Sequence, residues 1–193
     1  SIGDVACISF DPTKTISAPG SGGAVLTDSK VIYNHIKRIR YHGKNSITSN
    51  FEFLGFNSQM PTLTAAILLE KIKHNEKWIL KRKKIAEYYS KNLTKNVMVP
   101  EVNKNHVFHK YVMLVEEPKR DGLVEYLKKN GIGSAIHYST PLHKVSFIEN
   151  KIGKLTLPNV EKFCKMTLSL PIYAELTDLE VDHICETLRR FVG

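Results

Sequence analysis

Apolar and polar positions fall into blocks along the chain, and the spacing within each block predicts an alternation of strands and helices. Residues 5–10 form an apolar run of strand length closed by Asp11-Pro12. The segment Ala18-Pro19-Gly20-Ser21-Gly22-Gly23 then leads into a second short strand over 24–27. Val31, Ile32, His35, Ile36 and Ile39 have helical spacing within 29–41, and 42–60 reads as loop, rich in Asn, Ser and Gly. From Pro61 a long helix is predicted to about Leu93, with Pro61 in its first turn and a bend expected near His74-Asn75. Its broad face carries Leu63, Ile67, Leu68, Ile72, Trp78, Ile79, Ile85, Tyr88 and Tyr89. Further on, strands are expected at 107–115, 132–138 and 168–170, with helices at 119–130, stopped by Asn130-Gly131, and at 158–166. The last helix opens on a capping-box pattern, Thr177-x-x-Glu180, and presents Val181, Ile184, Cys185, Leu188 and Phe191 for burial.

This order suggests the end of a larger α/β domain at 1–60, a linking long helix at 61–95 and a small α+β domain at 96–193. The 193 residues, 42% hydrophobic and 24% charged, have the balance of a globular protein with a sizeable core. No run approaches 18 apolar residues, so no membrane span and no membrane partner are expected. Ser1-Ile2-Gly3-Asp4 resembles neither a signal nor a transit peptide and lacks an initiator Met, so the chain reads as cut from a larger protein. Cys7, Cys164 and Cys185, widely spaced among apolar neighbours, read as reduced core thiols of a cytoplasmic protein. The net charge of +9 is mostly lysine. It fits a solvated surface or a field for anionic, phosphorylated ligands. Lys81-Arg82-Lys83-Lys84 reads as a solvated helix face, because no aromatic interleaving accompanies it, and no nucleic-acid partner is expected. No metal is expected either. His106 and His109, three apart in a predicted strand, point to opposite faces, and no Cys or carboxylate cluster completes a ligand set.

The chemistry concentrates in Ser9-Phe10-Asp11-Pro12-Thr13-Lys14 and the Gly20-Ser21-Gly22-Gly23 that follows. A lysine lies just past a buried strand, on a turn, with glycines that allow close backbone approach behind it. Such a site suits a lysine nucleophile, which attacks carbonyls as the neutral amine. By composition alone a surface lysine beside a strand connection is the favoured reading. The order excludes a phosphate-binding P-loop, since the lysine precedes the glycines.

Ser9-Phe10-x-Pro12-Thr13-Lys14 with Gly20-x-Gly22-Gly23-Ala24-Val25 resembles the Schiff-base motif of the DegT/DnrJ/EryC1/StrS sugar aminotransferases. The resemblance continues through Arg40-x-His42-Gly43, Gly55-Phe56-Asn57-Ser58-Gln59-Met60 and Thr64-Ala65-Ala66-Ile67-Leu68. It resumes at Gly131-Ile132-Gly133-x-x-Ile136-His137-Tyr138-x-x-Pro141-Leu142-His143 and ends with Ser169-Leu170-Pro171-Ile172-Tyr173 and Leu176-Thr177. The blocks keep the family's order along nearly the whole chain.

The resemblance implies the C-terminal part of a fold type I transferase dependent on pyridoxal 5'-phosphate, combining a remnant of the large α/β domain with the small α+β domain. It implies that Lys14 holds the cofactor as a Schiff base and shuttles a proton, and that Ser9 donates to the cofactor phosphate. Asn57 is implied to reach the phosphate of a partner subunit's cofactor in a homodimer with shared sites. His137, Tyr138 and His143 are implied to border the sugar-nucleotide pocket. Lysine at position 14, where dehydratase relatives carry histidine, favours transamination. The implied reaction moves an amino group, with glutamate as donor, to a nucleotide-linked keto-deoxysugar of polysaccharide biosynthesis. Family members are about twice this length, and their N-terminal half supplies the aspartate at the pyridinium nitrogen, the ring-stacking aromatic residue and part of the phosphate cup. The 193-residue chain alone is therefore expected to be inactive. The alternative is a non-catalytic binding or regulatory module that keeps the fold.

Overall fold

A computed structural model describes residues 3–93 and 97–192. The expected chain start at Ser1-Ile2, the expected boundary near 95–96 and the terminal Gly193 lie outside the described residues. The chain forms two compact units, Ser1–Glu76 and Lys77–Gly193.

In the first unit, β1 (Ala6–Ser9) pairs antiparallel with β2 (Gly23–Leu26), with Ala6 opposite Leu26 and Ser9 opposite Gly23. β1 is shorter than its apolar run predicts and β2 starts one residue earlier at its predicted length; Phe10 N–H still donates to Gly22 O at 2.8 Å and continues the ladder by one bond. Cys7 is exposed on this two-stranded sheet, which corrects its expected place in a core; Ile8, Val25 and Leu26 are exposed beside it. Helix α1 (Lys30–Ile39) starts where the Ser29 hydroxyl accepts the Ile32 N–H at 3.4 Å. Phe10, Ala18 and Leu68 form a small core, with Ile16, Ala24 and Met60 packed on it.

Leu68 belongs to α2 (Thr62–Asn92), which runs without interruption through His74-Asn75. Pro61 precedes the helix, and its carbonyl accepts the Ala65 N–H. The boundary between the units falls within α2, at Glu76–Lys77.

The second unit holds the larger core. β3 (Tyr111–Leu114) alternates, with Tyr111 and Met113 fully buried, and pairs antiparallel with β4 (Thr167–Leu170), in which all four residues are buried. The expected strand at 107–115 is shorter at its start, because Phe108 takes a φ of 46° that breaks the extended run. His106 and His109 therefore do not share a strand, which removes the geometric reason for setting them on opposite faces. The expected strand at 132–138 is a single bridge, in which Ala135 exchanges two backbone bonds with Ser169 along the other edge of β4.

Helix α3 (Lys119–Lys129) buries Leu123 and Leu127 and stops at Asn130, before Gly131 at φ 76°. A 3-10 turn at Leu142–Lys144 and α4 (Ser146–Ile152) occupy a stretch for which the sequence pattern predicts no element. Then α5 (Pro158–Met166) covers its predicted span. Finally, α6 (Asp178–Val192) forms behind a closed capping box: Glu180 accepts the Thr177 N–H at 2.8 Å, and Thr177 Oγ1 accepts the Glu180 N–H at 3.3 Å. Val181, Ile184, Cys185 and Leu188 are buried as predicted, with Phe191 packed at the core's edge.

Candidate active site

Lys14 sits on a turn whose chemistry is local. Asp11 Oδ1 accepts the Thr13 N–H at 2.9 Å and the Thr13 hydroxyl at 2.6 Å, and Asp11 O accepts the Lys14 N–H at 2.9 Å. Asp at the first position and Pro at the second pre-set this conformation. The turn rests on Phe10, the buried end of β1, and the chain beyond it is tied back by Ala18 N–H to Phe10 O at 2.8 Å. A lysine on α2 completes the clamp: Lys71 Nζ donates to Ser17 O at 2.7 Å and to Ser17 Oγ at 3.0 Å. Lys14 is thereby half-buried at a fixed place. Ser9, at the end of β1, is exposed; its Oγ accepts the Asp11 N–H at 3.3 Å and keeps its own O–H to donate.

Two further motif blocks meet in space. Phe56 N–H donates to Ile39 O, His42 N–H to Phe56 O and Ser58 N–H to Arg40 O, so the segment 55–58 is zipped against the end of α1. Gly43 has a φ of 70°, and a Cβ there would collide with the Phe53 carbonyl. A Cβ on Gly55 would collide with the Gly43 nitrogen, so both glycines are required by the close approach of two backbones. Arg38 forms an ion pair with Glu52 and lies over the Phe53 ring, 5.0 Å from its centroid. This frame holds Asn57, bridged to Tyr41 and exposed. An open groove of about 790 Å³ in the same unit is lined by Ile8, Val25, Tyr33, Arg40, Gln59 and Met60 among others; Ser9, Lys14 and Asn57 are not in its lining.

The candidate histidines His137 and His143 belong to the second unit and separate there. His137 is partly buried beside β4: its Nδ1 lies 2.8 Å from Ser169 Oγ and its Nε2 3.0 Å from Lys110 Nζ. Burial first, then the charge of Lys110 and the nearby His109, lower its pKa below the usual histidine value. Tyr138 is exposed next to it. His143 lies elsewhere, buried on the 3-10 turn with Nε2 3.0 Å from Glu161 Oε1. That carboxylate also accepts the Leu157 N–H at 2.9 Å and has Lys144 Nζ at 3.6 Å. These contacts, led by the Leu157 N–H, draw the Glu161 pKa down to about 2.

Arg82 departs furthest from expectation. The sequence places it on a solvated face, yet it is only 9% exposed. Its Nη1 donates to Phe108 O at 3.2 Å, His109 O at 3.2 Å and Ile172 O at 2.7 Å. The signal was its register: Arg82 falls in line with Ala86, Tyr89 and Leu93, all buried on the same helix face. Lys110, Glu161 and Lys71 also have no signal in the sequence pattern, because they reach His137, His143 and Ser17 across 27, 18 and 54 residues; Ser169 is read there only as part of a motif block.

Residues 1–189 match the DegT/DnrJ/EryC1/StrS aminotransferase family. The chain belongs to this family. It is 34% identical to a pleiotropic regulatory protein of Geobacillus stearothermophilus, over 98% of this chain and 52% of that protein. It is 30% identical to a UDP-N-acetyl-3-dehydro-alpha-D-glucosamine 3-aminotransferase of Acidithiobacillus ferrooxidans, over 98% of this chain and 51% of that protein. Among solved structures, ntda from Bacillus subtilis with bound cofactor PMP superposes with a TM-score of 0.91 at 28% identity, covering 98% of this chain and 46% of that chain. The chain thus spans about half the length of the curated relatives it matches, and its fold is the C-terminal part of the family's α/β transferase fold. Among the described residues no helix is long and apolar enough to cross a membrane.

Proposed function

We propose that this chain forms the lysine-bearing C-terminal half of an aminotransferase dependent on pyridoxal 5'-phosphate, which moves an amino group from glutamate to a keto group on a nucleotide-linked deoxysugar. The observation that carries the reading is Lys14, held half-buried on the Asp11 turn at the end of β1. Family membership and the activity for which the Acidithiobacillus relative is named support the reaction class.

The residues present fit the cofactor. The Ser9 hydroxyl keeps a donor for a phosphate oxygen, and Asn57 is presented outward on a braced loop, as a residue reaching a neighbouring subunit's phosphate must be. Bound at Lys14, the cofactor supplies an electron sink for ionising a C–H bond. Lys14 Nζ is the amine that would hold the cofactor, and as a neutral amine it would carry a proton to and from the reacting carbon. The clamp of Phe10, Ala18 and Lys71 fixes the backbone from which that amine projects. His137 and Tyr138 face the nucleotide-sugar, while the buried His143 steadies the segment that carries them through Glu161. The working unit is a homodimer with shared sites, and the 193 residues alone do not turn over.

A non-catalytic reading draws on one observation, the regulatory name of the Geobacillus relative. A transamination assay of the full-length protein with glutamate and keto nucleotide-sugars separates the two. Product should form, and Lys14→Ala should reduce it by several orders of magnitude. Absence of product with every keto sugar, or near-normal turnover by the variant, overturns the proposal.

A further inference from the structure

The loop that carries Lys14 is bonded through its own backbone at both ends and not in between. Asp11 fixes the start through the Thr13 and Lys14 N–H groups, and Ala18 N–H fixes the end on Phe10 O. Among the described residues no backbone hydrogen bond ties Thr15, Ile16 or Ser17 to another segment. The Ile16 side chain rests on the small core of Phe10, Ala18 and Leu68, which leaves the polar groups of Ser17 to be held by a side chain. That side chain is Lys71, whose Nζ donates to Ser17 O at 2.7 Å and to Ser17 Oγ at 3.0 Å.

The register of α2 puts Lys71 there. Thr64 and Leu68 are buried, and Lys71 continues their stripe one turn further along the same face. Lys73, by contrast, is exposed and pairs with Glu70. An ammonium on the core-facing stripe loses water, and its two bonds to Ser17 offset that cost. The Ser17 carbonyl lies three residues beyond Lys14, in a stretch where Thr15, Ile16 and Ser17 are all half-buried. The rotamers open to Lys14 follow from its backbone and from these neighbours, so a shift of Ser17 changes where the Lys14 amine points.

We propose that Lys71 is a positioning residue for the reaction. By fixing Ser17 it aims Lys14 Nζ, and so sets the rate at which that nitrogen bonds to the cofactor's aldehyde carbon while the aldehyde oxygen leaves as water. The proposal rests on the reading of Lys14 as the cofactor amine. In that reading Ser9 and Asn57 hold the cofactor phosphate, so losing Lys71 should slow bond formation without weakening the first encounter. Misplacing a reacting group by about 1 Å costs roughly hundredfold in rate.

Rapid mixing of the full-length apoprotein with pyridoxal 5'-phosphate, quenched with borohydride and read by peptide mass spectrometry, separates the two steps. At saturating cofactor the rate of fixation on Lys14 should fall about ten- to hundredfold in Lys71→Met, while the half-saturating concentration stays within about twofold. Lys71→Arg, whose fork can donate to the same two oxygens, should restore most of the rate. Ser17→Ala removes only the hydroxyl bond; it should cost less than Lys71→Met and add nothing to it. Hydrogen exchange at the Lys14 and Ala18 amides of the apoprotein needs no cofactor, and both should exchange faster in Lys71→Met. Lys71→Ala replaces Lys71→Met if the latter does not fold. An unchanged fixation rate, no recovery with Lys71→Arg, or a loss confined to cofactor affinity overturns the proposal and leaves Lys14 assigned. No fixation on Lys14 in the wild type, with exchange still faster in Lys71→Met, refutes the cofactor reading and leaves Lys71 a structural clamp only.

Discussion

Replacing Arg82 with Met should destabilise the unit Lys77–Gly193 by about 2–4 kcal/mol. Methionine retains an aliphatic stem of similar reach, so the loss is mainly polar. The guanidinium makes three contacts through one nitrogen, of which the 2.7 Å bond to Ile172 O is the strongest and the two 3.2 Å bonds to Phe108 O and His109 O are shared. A bond to a charged donor contributes roughly 1.5–3 kcal/mol, and a buried carbonyl left unpaired costs a further 1–3 kcal/mol. Against this, removing the buried cation recovers desolvation, a penalty visible in the lowered Arg82 pKa. The net figure should appear as a shift of the urea midpoint at constant slope, followed by far-ultraviolet circular dichroism. Arg82→Lys, which keeps the charge but not the fork, should lie between wild type and Arg82→Met. A loss under about 0.5 kcal/mol, typical of exposed positions, would mean that Arg82 is the solvated residue its neighbours suggest.

Three other outcomes follow from the same contacts. Glu161 has its pKa drawn from 4.5 to about 2 by the folded state, so it stabilises the segment 142–161 above pH 4.5 and loses that contribution as pH falls toward 2; Glu161→Gln should flatten this dependence, followed by hydrogen exchange at Leu157, and an unchanged profile would refute it. Gly55→Ala forces apart the backbones at Gly43 and Gly55 and should reduce cofactor affinity through Asn57 while leaving the second unit's unfolding intact; wild-type affinity would show that the zipped loop does not position Asn57. Mixing Lys14→Ala with Asn57→Ala subunits should regenerate heterodimers with one intact site, and no recovery of activity under demonstrated subunit exchange would reject the shared site.

What was legible in the sequence was whatever local spacing controls. The α5 span, the α6 capping box and the Asn130-Gly131 stop follow from residues within a few positions of one another, and the structure places them where the pattern does. The strands at 5–10, 107–115 and 132–138 were overestimated because apolar runs persist where backbone pairing ends, as Phe108 shows at φ 46°. The element at 146–152 was missed because its seven residues bury no side chain and so leave no apolar stripe. At the site, Lys14, Ser9 and Asn57 were read from motifs, but the groups that fix or extend the site were not. Lys71 reaches Ser17, Lys110 reaches His137 and Arg82 reaches Ile172 across separations of 54, 27 and 90 residues. Such pairs have no signature in a single sequence. The Arg40–Gly43 and Gly55–Ser58 blocks were recognised separately, and only the structure shows that each is the other's template.

The central claim is that Lys14 is the amine that holds the cofactor. Its most direct measurement is borohydride reduction of the full-length protein after incubation with pyridoxal 5'-phosphate, followed by proteolysis and peptide mass spectrometry. The account predicts a phosphopyridoxyl group fixed on Lys14, within the peptide carrying Asp11-Pro12-Thr13, and its loss in Lys14→Ala. A label on another lysine at full occupancy, or none at saturating cofactor, would contradict it.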